Sequence, residues 1–95
     1  MKMILALVNA ARIDALRQEL IAAAAPGYSI VPVAEGSGRT GVHAGDRIHP
    51  GALAAVFIVD EDAKASALLE RLARWRDDAG DDITSFFLLP VERQA

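Results

Sequence analysis

Residues 3–8 (MILALV), 52–59 (ALAAVFIV) and 85–91 (SFFLLPV) are apolar at almost every position. Runs this short read as strands, and continuous apolar character signals burial on both faces, because a strand wet on one side alternates apolar and polar residues. A chain of 95 residues folds as one domain and has little material left to cover a sheet twice. The expectation is therefore a homo-oligomer that places sheet faces inside.

Helical spacing fills the gaps between these runs. From 12 to 25, Ile13, Leu16, Leu20 and Ala24 recur on one stripe and Pro26-Gly27 ends it. Asp60 stands at the N-cap of a second helix, with Glu61 and Asp62 suiting its positive end. That helix carries Ala65, Leu68, Leu72 and Trp75 on its core stripe and stops at Gly80. Residues 28–34 (YSIVPVA) form a further strand, and Pro32, which cannot donate to a ladder, places it at a sheet edge. The order βαββαβ predicts an α+β, ferredoxin-like domain: a four-stranded antiparallel sheet with two helices on one face.

Composition removes several function classes. With no cysteine the chain has neither disulfides nor thiolate metal sites, in keeping with a cytoplasmic setting. The apolar start is cut by Asn9 and Arg12 before it reaches the length of a signal peptide or membrane span. A net charge of −3 gives no footprint for nucleic acid.

Five of the seven glycines fall in or just after residues 35–50, so this connection is a long loop; at about 15 residues it has the length of a functional loop. Its opening, Gly36-Ser37-Gly38-Arg39-Thr40-Gly41, matches the dinucleotide fingerprint G-x-G-x-x-G letter for letter. That fingerprint needs a helix after it, and residues 41–51 have no apolar stripe and several breakers. The Gly-Lys-Ser/Thr ending of a P-loop is also missing. What the letters support is an anion nest of glycine amides at Gly36, Gly38 and Gly41, with Arg39 as a bidentate donor. His43, Asp46 and His49 recur every three residues in the same loop and form a candidate metal-ligand set. No catalytic constellation emerges: Ser37 lacks a G-x-S-x-G elbow, so the expectation is a binding protein and not an enzyme.

The opening Met-Lys-x-Ile-x-Ala of residues 1–6, Ile13-Asp14 with residues 17–20, and Gly36-x-Gly38-Arg39 followed by Gly41 together resemble the PII signal-transduction family over nearly the whole chain. The resemblance implies a homotrimer of ferredoxin-like subunits with an effector loop at 35–50 that offers a surface to a protein partner. It also implies a nucleotide in the cleft between subunits, held by the loop base, by a second loop after helix two and by basic residues near the C-terminus. Carried onto this chain, it points to Gly36, Gly38, Arg39 and Gly41, to Ser29 near the base, and to Arg93. Where the family's second loop carries glycines and a phosphate-binding lysine, residues 77–82 read DDAGDD, a solvated turn that repels a triphosphate. The effector expected is thus an adenine nucleotide with few phosphates, a smaller anion or a metal-bridged ligand. Two other readings stand beside it. One is a CutA-type divalent-cation tolerance protein using His43 and His49, and the other is a structural oligomer without a ligand.

Overall fold

A computed structural model describes residues 1–34 and 52–95, together with the backbone of Gly36–Ser37 and Arg47–Ile48. Strand β1 (Lys2–Asn9) runs through a 3-10 turn (Ala10–Arg12) into helix α1 (Ile13–Ala22). Then come β2 (Tyr28–Pro32), the two-residue strands β3 (Gly36–Ser37) and β4 (Arg47–Ile48), β5 (Leu53–Asp60), α2 (Asp62–Asp78) and β6 (Ser85–Pro90). The main sheet has the order β2-β5-β1-β6, and every pairing in it is antiparallel. The expected α+β arrangement is present, and Pro32 closes an edge strand, where its missing N–H costs no ladder bond.

Alternation along the strands sorts their side chains into two faces. Ile4, Ala6 and Val8 of β1 and Val56 and Ile58 of β5 join Leu16 and Leu20 of α1 and Leu68 and Leu72 of α2 in one core. Phe86, Leu88, Ile30 and Trp75 pack on its margin. The opposite face carries Leu5, Ala55, Phe57, Phe87 and Val31 in cross-strand register. No element of the described chain covers this second face, and Val31 and Phe87 are each 48% exposed. The continuous apolar runs are therefore accounted for on one side by the helices, and the other side remains apolar and open.

Three local expectations are corrected. Helix α1 ends at Ala22 rather than 25 because Ala24 adopts a left-handed φ of 52°. The amides of Ala24 and Ala25 turn back to the carbonyls of Ile21 and Leu20, closing the helix in a Schellman motif. Asp60 is not the N-cap of α2: it pairs with Lys2 as the last residue of β5, and Glu61 holds the cap position without a side-chain capping bond. The segment read as an unbroken loop contains a short antiparallel ribbon, Gly36 opposite Ile48 and Ser37 opposite Arg47. Among the described residues no helix is long and apolar enough to cross a membrane.

Candidate functional site

The two ends of the sheet carry different chemistry. At one end β2 leaves for the 35–50 segment and β5 returns from it. The Val33 amide donates to the Leu53 carbonyl at 3.1 Å, and the Ala10 amide to that of Ala52 at 2.9 Å. The turn between α2 and β6 reaches this same end, because the Asn9 amide donates to the Thr84 hydroxyl at 3.1 Å.

Within that turn Asp81 gathers donors. Its Oδ1 accepts from the amides of Ile83 at 2.9 Å and Thr84 at 3.1 Å, and its Oδ2 accepts from the Thr84 hydroxyl. Arg12 Nη1 lies 3.5 Å from Oδ2, while the guanidinium stacks 3.8 Å from the centroid of the Trp75 ring. Burial pushes the Asp81 carboxyl up, but the Thr84 hydroxyl, the two amides and Arg12 outweigh it and hold the group below its ordinary value. The aspartate run is therefore not uniformly solvated. Asp81 has a side chain only 3% exposed, while Asp77, Asp78 and Asp82 face solvent.

The opposite end holds a groove of about 730 Å³. Gly27 just before β2 and Ser29 within it, Phe57 and Val59 from the open face of β5, and the acidic stretch Asp60 to Asp62 form its walls. Val91, Arg93 and Gln94 of the C-terminal segment close it from the β6 side, where the Val91 amide donates to the Met1 carbonyl at 3.1 Å. The Met1 ammonium donates to Asp62 and, with Lys2 nearby, holds that carboxyl below its ordinary value. With the ammonium engaged, Arg93 is the cation in the groove that forms no ion pair with the described residues. A cation facing three carboxylates suits a ligand that brings both an anionic group and hydrogen-bond donors.

Of the residues predicted from sequence, Ser29 and Arg93 line this groove, and Gly36 sits at the other end in β3. Gly38, Arg39, Gly41, His43, Asp46 and His49 lie outside the described residues. Ser29 pairs with Phe57, and Val33, roughly 13 Å further along the extended strand, reaches Leu53. One chain thus keeps Ser29 and Arg93 apart from the loop base. Sequence reasoning missed Gly27, Gln94 and the contact of Arg12 with Asp81. The adjacency of Gly27 to Ser29 offered a signal for the first, whereas nothing local connects Arg12 to Asp81.

The fold and groove define a small α+β sheet protein with an open apolar face and a polar groove at its margin. The sequence matches the family described as nitrogen regulatory protein P-II over residues 1–94, and the chain belongs to that family. Among solved structures it is similar to CPII, a nitrogen regulatory PII-like protein from Thiomonas intermedia K12 bound to ADP, AMP and bicarbonate. The TM-score is 0.65 and the identity 19%, covering 97% of this chain and 88% of that one. It is also similar to a DUF3240 family protein from Shewanella baltica OS155, with a TM-score of 0.62 and 13% identity over 99% of this chain and 92% of that one. At these identities the likeness is one of fold. No curated protein sequence matches the chain.

Proposed function

We propose that this protein is a cytoplasmic, trimeric PII-like regulator that binds a small anionic or nucleotide effector in a cleft between subunits and signals through the 35–50 loop. Family membership supports the regulatory class, and the CPII structure, with ADP, AMP and bicarbonate bound, supports the effector class. The observation that carries the reading is the separation of the two half-sites. The groove with Ser29 and Arg93 opens on the uncovered apolar face, and Gly36 emerges at the far end of β2. A second copy covering that face buries Phe57, Val31 and Phe87 and turns the groove into one wall of a cleft. The loop base of the neighbouring copy, with Gly36, Gly38, Arg39 and Gly41, supplies the other wall. Binding orders the loop and changes the surface that a protein partner meets.

Complementation tests the shared site. Arg39→Ala and Arg93→Ala each abolish ADP or AMP binding in isothermal titration when assembled alone. Mixed assemblies of the two variants regain a fraction of the sites, because some clefts then combine an intact loop base with an intact groove. Mixed assemblies that bind nothing, or single variants that retain full affinity, overturn the reading. Phe57→Asp, placed on the open face, yields a monomer in sedimentation that no longer binds.

A further inference from the structure

Asp81 is the acceptor at the centre of a donor set suited to an external anion: two successive backbone amides, a hydroxyl and a guanidinium. The guanidinium is locked by its stacking on Trp75, and Arg12 Nη1 is buried without a hydrogen bond of its own. Thr84 is 3% exposed and is pinned to β1 through the Asn9 amide, and the Asp81 side chain is likewise 3% exposed, so the carboxylate is held in place between the turn and β1. We propose that the turn after α2 is an anion-binding cradle that the chain fills with its own Asp81 carboxylate, and that this resident charge restricts the effector to ligands with few phosphates.

The position gives the cradle its consequence. Thr84, just before β6, Asn9 of β1, Leu53 of β5 and Val33, just after β2, lie side by side at one end of the sheet. Three strand spacings of about 4.8 Å bring the cradle within the reach of one nucleotide-sized ligand docked at the loop base. A terminal phosphate extended toward the turn meets amides already used and a fixed negative charge. Asp82 and Asp78 add exposed charge of the same sign beside it. The restriction on phosphates rests on the proposed effector reading; the filled cradle does not.

Two measurements separate these parts. In Asp81→Ala the vacated cradle takes formate, so sodium formate raises the melting temperature of the variant by several degrees over sodium chloride of equal strength and leaves the wild type unmoved. Where the variant lacks a cooperative transition, formate restores one. Failure of formate to stabilise or restore Asp81→Ala overturns the cradle. In Asp81→Asn the amide still fills the cradle without its charge, and the affinity for ATP relative to AMP rises roughly tenfold over wild type. An unchanged ratio in a protein that binds AMP overturns the restriction on phosphates. A wild-type protein that binds no nucleotide overturns the effector reading and with it the restriction, while the formate experiment still decides the cradle.

Discussion

Both ends of the sheet carry a helix C-terminus closed in the same way, yet one end is sealed and the other left open. After α2 the amides of Gly80 and Asp81 return to the carbonyls of Asp77 and Arg76, and Gly80 takes the left-handed φ of 66° at no steric cost. Asp81 then follows with every carboxylate oxygen engaged. After α1 the same closure uses Ala24, and the chain proceeds through Pro26 and Gly27 into the wall of a groove. Carboxylates are present at both ends, but Glu61 and Asp62 at the groove are exposed, whereas the Asp81 side chain in the turn is only 3% exposed among its donors. The same residue type thus acts as a structural anion in one place and as a solvent-facing charge in the other, because solvent screens the second and not the first.

The largest test of this contrast is to delete a carboxylate from each end. Asp81→Ala leaves the Ile83 and Thr84 amides and the part-buried Thr84 hydroxyl without their acceptor and Arg12 without its ion-pair partner, and lowers stability by about 2–4 kcal/mol in urea melts. Asp62→Ala leaves the midpoint unchanged, because its partner, the Met1 ammonium, returns to water. Equal losses at the two sites break the comparison.

Acid gives a graded version of the same experiment. The folded pKa of Asp81 lies below its unfolded value, which is near 3.9. Its contribution is therefore fully present above the unfolded value and is lost as pH falls through the folded one, since the unfolded chain binds the proton more tightly. As pH falls from about 5 through the unfolded value and on through the folded one, the wild type loses its stability advantage over Asp81→Asn, as measured by urea midpoints at each pH. An advantage that persists at the acid end removes the charge from the account.

The smallest effect comes from the two closing residues. Ala24→Gly relieves the left-handed alanine and stabilises by about 1 kcal/mol, while Gly80→Ala introduces the same strain and destabilises by a similar amount. Thermal denaturation of the pair reads both signs in one experiment.

Much of the architecture was legible in the chain. The three apolar runs and the two helical stripes predict every long element, and Pro32 announces an edge. The closure of α1 by Ala24 was not, because glycine or asparagine marks that position in sequence and alanine does not. For the site, the family resemblance points to Ser29 and Arg93, which line one groove, whereas the sequence alone places Asp81 in an aspartate run with the pattern of a solvated turn. Its role depends on Arg12 and Thr84, and of these only Thr84 is near it in sequence.

By itself the sequence determined the elements, their order and the surplus of apolar surface, because propensity, periodicity and turn chemistry are local. The tertiary structure decided which carboxylate is buried, which cation forms no ion pair with the described residues, and that Ser29 and Gly36 lie at opposite ends of one sheet. Those outcomes depend on antiparallel register and on the desolvation of particular side chains, which arise only when distant segments pack against one another.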